Sequence, residues 1–221
     1  MSANQSYEKM MGMMADFASA YLDSAYKKKK AGEKFELPTD GHFLTVFYGF
    51  TEIQSTLDAL ALTETLIGLA PPRSKHIDKD CYLKFLVGAY LQEVYILEQR
   101  LTTYAKKLSR LYRKPALPPA VRKVVYEPLQ GIISTRGSHV HNRRYSDETL
   151  DMVSTTALFR RLKHQLGEDL EFDYKVAQSN WKKQINANNK TTRKIIDMYC
   201  ELLQVVICKN DKIVLPVPKK Q

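Results

Sequence analysis

The sequence predicts an all-α protein, an up-and-down bundle of about six helices with a long central helix. Apolar residues occupy 44% of the 221 positions, which is enough to form a core and argues against intrinsic disorder. Glycine and proline each occur only nine times, whereas β-sandwiches and β-barrels need more turn residues. Apolar side chains also recur every three to four positions over long stretches, which is the periodicity of amphipathic helices.

The first three helices are predicted from this periodicity together with residues that favour helix ends. The third helix is apolar on nearly every face from Tyr82 to Leu97, which is typical of a helix at the centre of a fold. Lysines suit a helix C-terminus, aspartate side chains suit a helix start, and glycine suits the position just after a helix. The predicted end signals are Lys27–Lys30 with Gly32 for the first helix, Asp40 and Gly68 for the second, and Asp78 or Asp80 and Arg113 for the third.

The last three helices are predicted in the same way. Their end signals are Pro119 and Gly137 for the fourth, Ser146 and Gly167 for the fifth, and Phe172 and Cys208 for the last. We expect Pro128 to kink the fourth helix and the polar patch Asn186–Asn189 to interrupt the last one. Residues Ile213–Val217 suit a short strand or an extended tail. No linker requires two domains, so the prediction is one helical domain over residues 1–221, with its C-terminal helical region at 168–208.

The charge of the chain leaves two interpretations open. Lysine and arginine outnumber aspartate and glutamate by 34 to 24, a net charge of +10. This balance is compatible with a polyanionic partner such as RNA or DNA, and equally with an ordinary basic protein. A basic stripe is predicted on the outer side of the third helix, and a solvated helix end explains it as well as a ligand does. The stripe comprises Lys106, Lys107, Arg110, Arg113 and Lys114.

The common catalytic and metal-binding motifs do not occur in the sequence. It contains no phosphate-binding glycine loop, dinucleotide fingerprint, nucleophile turn, zinc motif or carboxylate cluster with clear ligand spacing. None of the five histidines has a glutamate three positions before it, which excludes the di-iron helix pattern. Cys81, Cys200 and Cys208 form no Cys-x-x-Cys pair and suit a reduced compartment. We therefore expect a cytoplasmic protein with no metal, cofactor, signal peptide or membrane partner.

The candidate functional site is the polar cluster between the fourth and fifth predicted helices. Within ten residues it contains two of the five histidines and three arginines, together with an amide and a phenol. Histidine can transfer a proton near neutral pH, and arginine offers a donor fork that matches phosphate oxygens. Together they could cleave RNA without a metal, although a helix-capping cluster is the alternative. The cluster is Arg136, Gly137, Ser138, His139, Val140, His141, Asn142, Arg143, Arg144 and Tyr145.

Arg136, four intervening residues and His141 resemble the Arg-x(4–6)-His motif of the HEPN superfamily. This resemblance implies an all-α HEPN-like core at about residues 40–166 and a homodimer with a composite site. It further implies a metal-independent endoribonuclease of the toxin or defence type, for which an antitoxin-type protein partner is expected. In that scheme Arg136 and His141 are the catalytic residues. Supporting or substrate-binding roles fall to Ser138, His139, Asn142, Arg143, Arg144 and Tyr145.

One residue departs from the family pattern. Family members often have a polar residue directly after the motif arginine, whereas this chain has Gly137. This departure bears on catalysis more than on fold. The alternative function is therefore a non-catalytic helical module that binds a nucleotide, a nucleic acid or a protein partner.

Overall fold

A computed structural model describes residues 5–34, 36, 40–73, 76–141, 147–162 and 169–216, and for 135–141 it describes the backbone alone. These residues form α1 (Gln5–Lys30), α2 (Gly41–Ile67), α3 (Lys79–Tyr112), α4 (Leu117–Val121), a π-helical turn (Arg122–Tyr126), α5 (Glu127–His141), α6 (Glu148–Arg161) and α7 (Leu170–Ile207). Strands β1 (Cys208–Lys209) and β2 (Lys212–Ile213) pair in antiparallel fashion. The predicted all-α class is confirmed.

Most of the predicted helix ends are found where the sequence places them. Asp40 caps α2, because its Oδ1 accepts hydrogen bonds from the backbone N–H groups of His42 at 2.7 Å and Phe43 at 3.2 Å. Gly32 has a φ of 73° directly after α1. It closes the helix in a Schellman turn, in which the Glu33 N–H donates to the Lys28 carbonyl.

Three predictions about helix ends are wrong. Gly137 does not end a helix, since α5 continues to His141. The fifth predicted helix, our α6, ends at Arg161 rather than at Gly167, which lies outside the described residues. Asn186–Asn189 do not interrupt α7, which runs unbroken over 38 residues. A single glycine or asparagine lowers helix stability by about 1 kcal/mol or less, which is not enough by itself to end a helix. In α7 the buried side chains of Ile185 and Ile195, on either side of the asparagines, stabilise the helix further.

Two further ends differ in detail. The N-cap of α6 is Asp147, whose carboxylate accepts the Leu150 N–H at 2.9 Å, while the predicted cap Ser146 lies outside the described residues. The expected kink at Pro128 is preceded by the π-helical turn, where the Glu127 N–H donates to the carbonyl of Arg122 five residues earlier. A wider turn suits a proline, since its ring crowds the carbonyl four residues before it.

The chain divides into two compact units. Unit 1 comprises residues 1–55, 98–128 and 192–221, and unit 2 comprises residues 56–97 and 129–191. The described α-helices α2, α3, α5 and α7 each contribute to both units.

Unit 1 is held together by aromatic packing and by hydrogen bonds to backbone groups. The Tyr104 hydroxyl donates to the carbonyl of Val46 at 2.7 Å, and the Tyr199 hydroxyl donates to that of Leu101 at 3.0 Å. The N-terminus of α1 is capped from α7, because Asp197 accepts hydrogen bonds from the N–H groups of Ser6 and Tyr7 at 2.8 and 3.0 Å. These bonds satisfy donors that a helix start leaves free.

Unit 2 is held together mainly by pairs of side chains. The Trp181 indole donates to Asp147 at 2.8 Å, and the Thr156 hydroxyl donates to Asp173 at 2.7 Å, which fixes α6 antiparallel to α7. The amide of Gln178 donates to the carbonyls of Ile67 and Leu69 at 2.9 and 2.7 Å, where α2 ends. The same side chain thus satisfies carbonyls that a helix end leaves without partners.

Candidate functional site

The predicted Arg/His cluster begins on helix α5. Arg136, Ser138, His139 and His141 lie in its last turns, and His141 is its final residue. A regular helix turns by about 100° per residue, so the Cα atoms of Arg136 and His141 lie about 140° apart around the axis. Those of Arg136 and His139 lie about 60° apart. A break at Gly137, which would have changed these angles, is absent from the described backbone of α5.

The remaining members of the cluster follow this helix. Asn142, Arg143, Arg144 and Tyr145 lie outside the described residues, as do the side chains of Arg136 through His141. The catalytic and supporting roles of these residues therefore stay predictions, as does the proximity of their functional groups.

A cluster near the start of α3 has the composition of a cation site, but the guanidinium group of Arg161 lies against it. The ligand atoms of Asp78, Asp80 and Cys81 lie within 4.8 Å of one another. The Arg161 Nη2 lies 2.8 Å from the carboxylate of Asp78 and 3.0 Å from that of Asp80. Arg161 therefore forms ion pairs with both acids, and these pairs connect α6 to the start of α3. Sequence analysis did not find them, because Arg161 is 81 residues away from Asp80.

A second polar cluster in unit 2 is a hydrogen-bond network of Glu64, Tyr90 and Asn189. The Asn189 amide donates to the Glu64 carboxylate at 2.6 Å, and the Tyr90 hydroxyl donates to the Asn189 oxygen at 3.2 Å. Tyr90 is fully buried and Asn189 is 6% exposed. Burial raises the pKa of Tyr90 well above its usual range, so the phenol stays protonated and acts as a donor. The network connects α2, α3 and α7 within unit 2, so we interpret it as a stabilising contact rather than as a functional site.

Two of the cysteines are poor nucleophiles. Burial raises the pKa of the Cys200 thiol to about 12 and that of Cys208 to about 11, with nearby acidic groups adding to both shifts. A thiol reacts as its thiolate, which is scarce at neutral pH when the pKa is this high. These two residues therefore suit packing rather than thiol chemistry.

The net charge of the chain is divided unevenly between the two units. Unit 1 contains 20 lysines and arginines against 12 aspartates and glutamates, whereas unit 2 contains 14 against 12. Within unit 1 the excess is concentrated in residues 99–126, which include eight basic residues and no acidic one. The favourable electrostatic field for a polyanion therefore belongs mainly to unit 1.

Seven of these eight basic residues form what we call the basic surface. All seven are exposed, and they lie on the C-terminal part of α3, in the turn after it and in the π-helical turn. The eighth, Arg100, is held by the side chain and the carbonyl of Glu52 at 2.7 and 2.8 Å. The basic surface consists of Lys106, Lys107, Arg110, Arg113, Lys114, Arg122 and Lys123.

The backbone around the basic surface is tightly defined. Arg113 has a φ of 55° and ends α3 in a left-handed conformation. The Lys114 N–H donates to the Ser109 carbonyl at 2.9 Å, and the Ser109 hydroxyl donates back to the Lys114 carbonyl at 2.8 Å. In the next segment Leu117, Val121 and Val125 are buried. The turn that joins the two parts of the basic surface is thus held by hydrogen bonds on one side and by buried apolar residues on the other.

No family model, curated protein or solved structure matches this chain. The resemblance to the HEPN superfamily therefore rests on the Arg136–His141 spacing and on the all-α class. Among the described residues, no helix has both the length and the apolar character that crossing a membrane requires.

Proposed function

We propose that this protein acts on RNA as a metal-independent endoribonuclease of the HEPN-like type, with Arg136 and His141 as its catalytic residues. The observation that carries the proposal is the Arg-x4-His spacing in an all-helical chain. The uneven charge supports it, because a protein that handles RNA must attract a polyanion. An antitoxin-type protein partner belongs to the same proposal.

The proposed reaction needs only groups that this chain supplies. The ribose 2′-oxygen attacks the adjacent phosphorus, its proton passes to a neutral histidine, and the 5′-oxygen leaves with a proton. The products are a 2′,3′-cyclic phosphate and a 5′-hydroxyl end. His141 transfers protons, and Arg136 stabilises the charge that develops on the phosphoryl oxygens. A positioned donor of this kind contributes about 2.7–4 kcal/mol to lowering a barrier.

A homodimer is part of the proposal. On one continuous helix the Cα atoms of Arg136 and His141 are about 140° apart around the axis and about 7.5 Å apart along it. Both residues of one chain therefore do not face a single phosphate from the same side of α5. Two copies that bring their α5 ends together would offer each substrate an arginine and a histidine from different chains.

The test is cleavage of a panel of RNAs in the presence of a chelator. We expect wild type to cut, and Arg136→Ala and His141→Ala each to lose at least a hundredfold in rate, consistent with the contribution of an aligned acid–base group or oxyanion donor. Arg160→Ala and His42→Ala are matched controls on other helices and should cut like wild type. The proposal fails if purified wild type cuts no RNA, or if the two motif variants cut as fast as the controls.

The alternative is a helical module that binds RNA without cutting it. Gly137 favours this alternative, because a polar residue often follows the motif arginine in the family. Salt-dependent RNA binding by wild type without any product would support it.

A further inference from the structure

We infer that the basic surface of unit 1 is a docking site for the phosphate backbone of single-stranded RNA, separate from the Arg136–His141 motif. The choice of RNA rests on the proposed function, whereas the docking site itself rests on charge and exposure. In-line attack by a 2′-oxygen requires a strand that is free to leave A-form geometry, which indicates an unpaired substrate. The site is therefore assigned to single strands.

The first argument is that these cations lie in a segment without acidic residues, bounded by Glu98 and Glu127, and form no ion pair in the described part of the chain. Residues 99–126 contain no aspartate or glutamate. Arg100, the basic residue of this segment that lies outside the basic surface, is neutralised by Glu52. Exposed lysines and arginines that remain unpaired keep their full attraction for phosphate, and binding releases the counterions that RNA has condensed.

The second argument is that a helix dipole does not explain the position of Lys106 and Lys107. Interaction with the dipole falls off within the last turn of a helix, and the only basic residue in the last turn of α3 is Arg110. Lys106 and Lys107 lie further back. The end of the helix is already closed by the two hydrogen bonds between Ser109 and Lys114.

Lys27–Lys30 provide the contrast. All four lie in the last turn of α1, where the dipole accounts for them, and the closing turn leads directly to Glu33. A helix-end explanation is therefore sufficient for Lys27–Lys30 and insufficient for the basic surface.

The third argument is geometric. Lys106 and Arg110 are four residues apart, which places them on one side of α3 and about 6 Å apart along its axis. Each can therefore meet a different phosphate of an extended strand. Beyond the turn, the Arg122 guanidinium lies 5.6 Å from the centroid of the Tyr126 ring, which positions it as a cation–π pair.

The experiment measures RNA binding at several salt concentrations with a fluorescent single-stranded RNA. The Arg136→Ala, His141→Ala double variant serves as the background, so that cleavage does not interfere. The test variant adds Lys106→Gln, Lys107→Gln and Arg110→Gln. The control adds Lys182→Gln, Lys183→Gln and Lys190→Gln, which removes three exposed cations from a helix of unit 2. Circular dichroism verifies that both triple variants remain helical.

We expect the test variant to bind at least about tenfold more weakly and the salt slope to fall by about two, since each lost phosphate contact removes about 0.7 from the slope for a single strand. The control should bind within about twofold of the background. Equal binding by the two triple variants, or no RNA binding by the background protein, would overturn the docking site. Single-stranded DNA of the same length should bind about as well, because the contacts are to phosphates. Equal or tighter binding of duplex DNA would overturn the assignment to single strands. Absence of cleavage by wild type bears only on the proposed function, because this assay reads binding alone.

Discussion

Units 1 and 2 are of similar size but differ in what they present to solvent. Unit 1 has a charge balance of 20 to 12 and carries the basic surface, while unit 2 is nearly neutral at 14 to 12. Among the described residues, eight large apolar side chains are exposed in unit 2 and five in unit 1. Eight of the ten net positive charges therefore belong to unit 1. This uneven distribution of charge predicts where on the molecule a polyanion binds, whereas the total net charge does not.

The two units also differ in the hydrogen-bond partners of their buried tyrosines. In unit 1, buried tyrosines donate to backbone carbonyls. In unit 2, side chains bond to side chains, as in the group of Glu64, Tyr90 and Asn189. A substitution beside Tyr104 should therefore act through packing, whereas a substitution at Asn189 should act through polar groups that lose a partner.

The largest expected effect is that of Gly49→Ala in unit 1. A Cβ atom at this position would lie 2.3 Å from Cδ2 of Tyr104, whose ring is buried and whose hydroxyl is bound to Val46. The ring cannot move without losing that bond, so we expect a destabilisation of about 3 kcal/mol or more. Gly12→Ala is the control, because it lies in α1 with nothing within 4 Å, and it should stabilise by about 0.5–1 kcal/mol. Urea unfolding followed by circular dichroism distinguishes the two, and equal stabilities would contradict the packing.

Asn189→Ala in unit 2 should have the next largest effect. The substitution removes one hydrogen-bond partner from the Tyr90 hydroxyl, which also interacts with the side chain of Asn188, and one from the Glu64 carboxylate. A buried polar group that loses its partner costs about 1–3 kcal/mol, so we expect a loss of about 2–3 kcal/mol. Asn180→Ala, at an exposed position of the same helix, should change stability by less than about 0.5 kcal/mol. The fluorescence of Trp181, the single tryptophan, reports unfolding of this unit. If both variants unfold alike, the network contributes nothing.

Asp147→Ala should destabilise unit 2 by about 2 kcal/mol. One oxygen of Asp147 caps α6, and the other accepts the Trp181 indole. Losing the cap costs about 1 kcal/mol, and losing the second bond adds a similar amount. Asp147→Ser should restore the cap alone and about half of the loss. A red shift in Trp181 emission should accompany both variants, and an unchanged emission maximum would contradict the indole bond.

The smallest expected effect is that of Glu171→Gln, at an exposed ion pair. A hydrogen bond from Lys79 holds the pKa of Glu171 below its usual range. A carboxyl with a lowered folded-state pKa stabilises the protein above its unfolded pKa of about 4.3, and this contribution is lost as the pH falls through the folded value. Because the pair is exposed, wild type should exceed the variant by less than about 1 kcal/mol at pH 7 and by nothing at pH 2. A difference that persists at pH 2 would exclude this explanation.

The sequence predicted the class and most helix starts, because caps and apolar periodicity are local signals. Asp40 is an example, since its side chain bonds to residues only two and three positions away. Tertiary contacts were not predictable in this way. Asn189 appeared to break a helix, yet it bonds to Glu64, which is 125 residues distant. No sequence pattern singled out Arg161, yet it forms ion pairs with both Asp78 and Asp80.

The sequence also predicted the basic stripe on α3, but not its significance. Counting charges along the chain identified Lys106, Lys107 and Arg110. Only the structure placed Glu52 against Arg100 and thereby separated a neutralised arginine from its exposed neighbours. The Arg136–His141 motif remains a prediction from spacing, and the continuity of α5 now gives its angular geometry on one chain.

The most direct test of the central claim uses a single RNA that wild type cuts, compared with the same RNA carrying one 2′-deoxyribose 5′ to the scissile phosphate. In chelator, the account predicts products with 2′,3′-cyclic phosphate and 5′-hydroxyl ends from the first RNA and no cut at the modified position of the second. Cutting at the deoxy position would contradict attack by the 2′-oxygen. Products that end in a 5′-phosphate would contradict it equally.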